Sequence, residues 1–115
     1  MQYMLMIYAN ESDWQASPKS EVDQRIAAYS AYTEAMAKGG VLVAGNRLRP
    51  VGDATTVRIR GGKTNVLNGP YAETKEQLGG YYLIEAPDLD AALSWAARCP
   101  GAGYGTIEVR PIWPV

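Results

Sequence analysis

Two segments of the chain carry apolar residues on both of their alternating faces. In the first segment both faces are fully apolar, and in the second they are apolar only in part. Residues 2–9 (QYMLMIYA) place Tyr3, Leu5 and Ile7 on one face and Met4, Met6 and Tyr8 on the other. Their short length favours a strand over a helix, and a strand with this pattern is covered on both sides. Residues 79–86 (GGYYLIEA) share the pattern in part. Both segments therefore predict strands whose two faces need cover.

A longer segment, residues 17–40, repeats its apolar residues at helical spacing. Ser17 suits the capping position, Pro18 the first helical position and Gly39 the end of the helix. The charged residues lie largely on other sides of this helix. Its predicted apolar face consists of Val22, Ile26, Tyr29, Thr33 and Met36.

The remaining elements are shorter and are separated by glycine and proline. Further strands are predicted at residues 41–48, 55–60, 63–68 and 106–115. The second and third of these form a hairpin that turns at Gly61-Gly62. A second helix is predicted over residues 88–99, with Asp88 as its cap. Pro111 in the last strand is typical of a sheet edge.

The order of these elements predicts a single α+β domain over residues 1–115. Two amphipathic helices can cover one face of a four- or five-stranded antiparallel sheet. A third helix to cover the second face is absent from the predicted elements. A second copy of the same sheet is the expected cover, so we predict a homodimer.

Composition and charge exclude several classes of function. Hydrophobic residues make up 47% of the chain, charged residues 20%, and the formal net charge is −1. This balance is typical of a globular protein and gives no reason to expect nucleic acid as a partner. The longest apolar run, Met4 to Ala9, is too short to span a membrane. The chain starts without a basic segment of the kind that signal peptides carry, so we expect it in the cytoplasm.

The chain contains no histidine and one cysteine, Cys99. Ser-His-Asp and Cys-His sites, an imidazole general base and a His-ligated metal are therefore excluded. We expect Cys99 to be a buried, inert thiol, because no imidazole is present to activate it. We also expect no metal and no cofactor.

Four stretches together resemble a known family over essentially the whole chain. They are MQYMLMIYANE, GVLVAGNRLRP, TTVRIRGGKTNVLNGPYAETKEQLGGYYLIEAPDLDAALSWAARCP and IEVRPIW. This combination resembles the DGPF subgroup of the YCII-related proteins. The resemblance implies a ferredoxin-like fold whose subunits pair their sheets into a dimeric α/β barrel. It also implies a bacterial and regulatory setting, because relatives are often encoded beside extracytoplasmic-function sigma factors or fused to them.

The chain departs from the family pattern at two positions that bear on chemistry. The motif that names the subgroup is Asp-Gly-Pro-Phe, and here it is Asn68-Gly69-Pro70-Tyr71. Relatives often carry a histidine at the position of Tyr29 in this chain. The His-Asp chemistry proposed for some YCII-like relatives should therefore not be transferred to this protein.

Five residues are candidate ligand contacts in a cleft near residues 68–73: Tyr8, Arg47, Asn68, Tyr71 and Glu73. An amide orients a ligand but cannot act as a general base, and tyrosines with a few polar groups are typical of small-molecule pockets. Each residue also has a structural interpretation. Asn68 can fix the turn, the tyrosines can serve the core or dimer interface, Arg47 can keep an edge soluble, and Glu73 can lie in a solvated loop.

Three functional hypotheses follow, and the sequence leaves open whether the protein is an enzyme. The first is a protein that binds a small anionic or aromatic metabolite without histidine-based catalysis. The second is a regulatory module that associates with an extracytoplasmic-function sigma factor. The third is a member that keeps the dimeric fold without the ancestral site.

Overall fold

Six strands and three α-helices form along residues 1–114, the part of the chain that the computed structural model describes. They are β1 (Gln2–Ala9), α1 (Glu11–Ala16), α2 (Lys19–Lys38), β2 (Leu42–Arg47), β3 (Thr55–Arg60), β4 (Lys63–Asn68), β5 (Gln77–Glu85), α3 (Leu89–Arg98) and β6 (Thr106–Pro111). Two short 3-10 turns, Val51–Asp53 and Pro100–Gly103, precede β3 and β6. All strand pairs are antiparallel, as predicted.

Four strands form the main sheet in the order β2-β5-β1-β6. The two strands that are apolar on both faces, β1 and β5, therefore lie in the centre, and β6 is an edge strand as its proline predicted. One face of the sheet packs with α2 and α3 into the core, which confirms the ferredoxin-like arrangement. The core residues include Leu5, Ile7, Met36, Ile84 and Ala92.

The other face of the main sheet remains half-exposed in the single chain. Alternation along β1 and the register with β5 place five apolar side chains there. Each is partly accessible, in contrast to the buried neighbours on the opposite face. They are Met4, Met6, Tyr8, Tyr81 and Leu83. The homodimer that would cover them stays a prediction.

The start of the long helix differs from the prediction. Ser17 is not its cap: it ends α1, a short helix that was not predicted, and its hydroxyl donates to the Asp13 carbonyl (2.7 Å). Pro18 occupies the N-cap position of α2, one residue earlier than expected. Gly39 ends the helix as predicted.

The predicted hairpin is confirmed, with β3 and β4 joined at Gly61 and Gly62, which both have positive φ (57° and 76°). It forms a two-stranded sheet of its own and does not extend the main sheet. We call residues 55–68 the arm. The radius of gyration is 16.1 Å, against about 13 Å for a compact domain of ~100 residues. The arm therefore projects from the body of the molecule.

Candidate functional site

An arginine lies between two aromatic rings near the end of β1. The guanidinium carbon of Arg25 is 4.9 Å from the ring centre of Trp14 and 4.4 Å from that of Tyr104. The two rings meet edge to face, with centroids 6.2 Å apart. Arg47 also stacks on Trp14, at 5.4 Å. We call these four residues the aromatic–arginine cleft.

Helix α1 positions Trp14 in this cleft. Asn10 caps the helix by accepting a hydrogen bond from the Ser12 N–H (2.9 Å), which satisfies one of the free donors of the first turn. The Glu11 carboxylate accepts from the Val51 N–H (3.0 Å) and so ties the helix to the turn before β3. A six-residue helix has little stability alone, so these polar contacts hold the indole in place.

The Arg25 guanidinium is only partly paired. Its Nη2 contacts a Glu21 carboxylate oxygen at 2.9 Å, an i,i+4 pair on the surface of α2. Its Nη1 is buried and has no hydrogen-bond partner among residues 1–114. The side chain is only 18% exposed, so this donor is shielded from solvent and has no protein acceptor in the described part of the chain. An unsatisfied buried donor is costly, and an added acceptor there would stabilise the site.

The space around Arg25 is small in the single chain. A cavity of about 30 Å³ is lined by Ala9, Asn10, Asp13, Trp14, Arg25 and Tyr104. That volume admits about one water molecule. A ring-sized ligand therefore requires the Arg25 side chain or α1 to move.

A buried pair of weak acids lies behind the cleft. The Cys99 thiol is 3.8 Å from the Tyr29 hydroxyl, and Cys99 is buried as predicted. Burial raises the pKa of Tyr29, and the neighbouring Cys99 and Tyr104 raise it further. Burial likewise raises the pKa of Tyr104 and of the Cys99 thiol. At neutral pH these groups are protonated, so they can donate hydrogen bonds but cannot act as base or nucleophile.

The five predicted ligand contacts lie in different parts of the single chain. Arg47 lies in the aromatic–arginine cleft, and Tyr8 lies on the half-exposed face of the main sheet. Asn68 ends the arm at β4, opposite Thr55. Tyr71 is 75% exposed. Glu73 follows it in an exposed loop.

The Asn-Gly-Pro-Tyr motif closes the base of the arm. The Gly69 N–H donates to the Ala54 carbonyl (2.7 Å), and the Thr56 hydroxyl donates to the Gly69 carbonyl (2.8 Å). Gly69 has a φ of 106°, a conformation that favours glycine. Tyr71 then turns back against Arg58, whose guanidinium carbon is 4.9 Å from the ring centre. The motif thus fixes the direction in which the arm leaves the body.

Three members of the aromatic–arginine cleft were not predicted from the sequence: Trp14, Arg25 and Tyr104. Trp14 belongs to the helix that was missed, and Tyr104 follows the glycine-rich PGAG turn. Arg25 carries a charge, and charged residues on a helix usually face solvent. One signal was available, because a tryptophan in the polar segment ESDWQA (residues 11–16) is out of place in a solvated loop.

Two kinds of feature are not found among residues 1–114. No helix there is long and apolar enough to cross a membrane. No three side chains of the His, Cys, Asp and Glu types lie together in the described part of the chain in a way that could hold a metal ion. The aromatic–arginine cleft is therefore described by its arginines and aromatic rings alone.

Comparison with known proteins gives a family and a fold. The model of the YCII-related domain matches residues 1–115. An uncharacterised protein of Rhizobium meliloti (strain 1021) is 40% identical over 114 residues, which cover 97% of this chain and 92% of the relative. A similar solved structure is the 5-chloro-2-hydroxyhydroquinone dehydrochlorinase of Burkholderia phenoliruptrix AC1100 in complex with 2,5-dihydroxybenzoquinone. It is 18% identical with a TM-score of 0.56, and the match covers 98% of this chain and 94% of the dehydrochlorinase. At that identity the likeness shows the fold.

Proposed function

Because the chain belongs to the YCII-related domain family, we propose that it binds a small aromatic or anionic metabolite in the aromatic–arginine cleft. The observation that carries this proposal is the Arg25 guanidinium, which is held between two rings with a buried Nη1 that lacks an acceptor. An anionic group of a ligand supplies that acceptor. The dehydrochlorinase of similar fold, solved with a small ring compound, supports a ligand of this size.

Two kinds of interaction would recognise the ligand: pairing of its anionic group with arginine, and stacking of its ring on aromatic side chains. Arg25 and Arg47 both approach Trp14 and offer guanidinium donors to a carboxylate, phenolate or phosphate. A shift of the Arg25 side chain lets a planar ligand pack against Trp14 and Tyr104 while the guanidinium pairs with the anionic group of that ligand. The movement separates Arg25 from Glu21, whose side chain is 48% exposed and is solvated after the pair opens.

Binding, and not acid–base catalysis, is the function that these groups support. The chain has no histidine, and the raised pKa values keep Tyr29, Tyr104 and Cys99 protonated at neutral pH. The two phenols can donate hydrogen bonds to an oxyanion of a bound ligand. Chemistry that requires a histidine base is therefore not part of the proposed function.

The functional unit is proposed to be a homodimer, in which the half-exposed face of one main sheet packs on the same face of the second copy. Met4, Met6 and Leu83 lie on that face and are only partly covered in the single chain. Paired sheets of this kind form the dimeric α/β barrel. In the dimer, Tyr8, Asn68, Tyr71 and Glu73 remain candidate ligand contacts.

Calorimetric titration and thermal shift with benzoate, inorganic phosphate and 2,5-dihydroxybenzoquinone test the binding site. Arg25→Met keeps the length of the side chain and removes its charge. Arg98→Met is the matched control, because Arg98 stacks on Trp95 at 4.2 Å outside the cleft. We expect at least one probe to raise the melting temperature of the wild type and of Arg98→Met by mass action, and not that of Arg25→Met. Equal binding by all three proteins, or by none of them, would contradict the proposed site.

A second candidate function is association with an extracytoplasmic-function sigma factor through the arm. The observation that favours it is the exposure of Val57 and Ile59, which a protein partner could cover. Co-elution of the wild type with a purified sigma factor in size-exclusion chromatography, and its loss in Ile59→Ser, would support it. Separate elution at micromolar concentrations would rule this function out.

A further inference from the structure

The arm has two faces of different chemistry. The register pairs Thr55 with Asn68, Val57 with Val66 and Ile59 with Thr64, so these six residues share one uncharged face. The opposite face carries Thr56, Arg58, Arg60, Lys63, Asn65 and Leu67. All three charges of the arm therefore lie on one side, which we call the cationic face, and the β-branched residues Val57, Ile59 and Val66 lie on the other.

The uncharged face is uncovered in the single chain. Val57, Ile59 and Val66 are 59%, 64% and 61% exposed. A two-stranded hairpin alone in water is marginally stable at best. The hydrogen bonds of Gly69 with Ala54 and Thr56 join the two ends of the arm to each other and contribute no cover to this face. Cover from another molecule would therefore stabilise the arm.

Charge indicates which molecule fits. The arm contributes three of the 11 basic residues and none of the 12 acidic residues, so the rest of the chain has a formal charge of −4. Two arms repel each other, whereas an arm and the body of a second copy attract.

We propose that the arms are exchanged in the dimer: the uncharged face of each arm packs on the body of the second copy, at the rim of the paired sheets. Because the two copies are related by a two-fold axis, each arm makes the same contact with the body of the other copy. Asn68 lies on the uncharged face, so the amide of the motif contacts the second copy. The cationic face, with Arg58 against Tyr71, points outward. Arm exchange rests on the homodimer of the proposed function.

Two substitutions of equal exposure on opposite faces test the exchange. Val57→Ser removes an apolar side chain from the uncharged face, and Leu67→Ser removes one from the cationic face at 58% exposure. We expect Val57→Ser to raise the dimer dissociation constant about tenfold in sedimentation velocity, because buried apolar area is lost. Leu67→Ser should change it less than about twofold. Equal effects of the two substitutions would overturn the proposal.

A third variant removes the arm. Ala54 and Gly69 already share a hydrogen bond of 2.7 Å, so the chain can be joined between them without residues 55–68. We expect the body to stay folded by circular dichroism and to dimerise more weakly than the wild type. A wild-type protein that stays monomeric would overturn both the dimer and the exchange. A dimer whose dissociation constant is unchanged by the deletion would overturn the exchange alone.

Photo-crosslinking identifies the surface that the arm contacts. A benzophenone amino acid replaces Ile59, and the protein is mixed with an isotopically labelled wild-type copy before irradiation. We expect crosslinks from position 59 to the body of the labelled copy. Crosslinks only within one chain would overturn the arm exchange. So would the absence of crosslinks together with arm amide hydrogens that exchange with solvent as fast as those of an unfolded peptide.

Discussion

At the scale of single residues, Arg25 and Arg98 show how one type of contact serves two purposes. Each guanidinium stacks on a tryptophan, Arg25 at 4.9 Å from Trp14 and Arg98 at 4.2 Å from Trp95. Such contacts contribute about 0.5–1 kcal/mol at exposed sites and more when desolvated. Arg98 is exposed and close to the end of α3, where a cation is favourable. Arg25 alone of the two combines burial with a donor, Nη1, that has no partner among residues 1–114, and the proposed ligand site rests on this difference.

Tyr29 gives a prediction at the same scale, on the pH dependence of stability. Burial raises the pKa of this phenol in the folded protein above its ordinary value of 10.0. As the pH rises, the Tyr29 phenol ionises first in the unfolded chain. The contribution of the protonated phenol to the stability of the folded protein is therefore complete below pH 10 and is lost as the pH rises above it. Tyr32, Tyr82 and Tyr104 shift in the same direction. We therefore expect the free energy of unfolding to fall in the alkaline range.

Urea denaturation at pH 8, 10 and 11 measures this fall in the wild type and in Tyr29→Phe. The substitution removes one ionising group, so the slope above pH 10 becomes shallower. The change is at most about 1.4 kcal/mol per pH unit, and smaller to the extent that solvent reaches the phenol. Equal slopes in the two proteins would show that Tyr29 is not one of the groups that cause the alkaline loss.

At the scale of secondary structure, local patterns predicted the elements whose signals lie within the chain itself. The Gly61-Gly62 turn set the ends of β3 and β4, and Asp88 caps α3 by accepting from the Ala91 N–H (2.8 Å). These elements depend on residues only a few positions apart. The hairpin was predicted, but its separation from the main sheet was not, because strand alternation does not say which strands pair.

Helix α1 was missed because its stability comes from distant residues. Its six residues form too short a helix to be stable alone. The Glu11 carboxylate accepts a hydrogen bond from the Val51 N–H, 40 residues away along the chain. The backbone N–H of Glu11 donates to the side-chain oxygen of Gln77, 66 residues away. The cleft was missed with it, since Trp14 is the residue against which both arginines stack. Arg47 was therefore predicted from the sequence as a candidate ligand contact, but the aromatic ring on which it stacks was not.

At the scale of the whole molecule, the single chain is flat and has two uncovered apolar surfaces. Its principal extents are 48 × 44 × 19 Å. One surface is the half-exposed face of the main sheet, and the other is the uncharged face of the arm. A central strand with apolar residues on both faces is ordinarily covered on both faces. In the single chain, β1 is covered on only one. The proposed homodimer with exchanged arms would cover both surfaces at once.

Met6→Lys tests this account at the centre of the half-exposed face. Met6 lies between Tyr81 of β5 and Glu108 of β6, in the middle strand pair of the main sheet. In the single chain a lysine can reach water there, whereas in the proposed dimer its charge loses that water, and pairing with the facing Glu108 offsets only part of the cost. We expect a folded protein whose dimer dissociation constant rises about tenfold or more by sedimentation equilibrium. Gln24→Lys, on the exposed side of α2, adds the same charge and should leave the dimer intact. If both variants dimerise as the wild type does, the half-exposed face is not the interface, and the paired sheets of the proposed barrel are wrong for this protein.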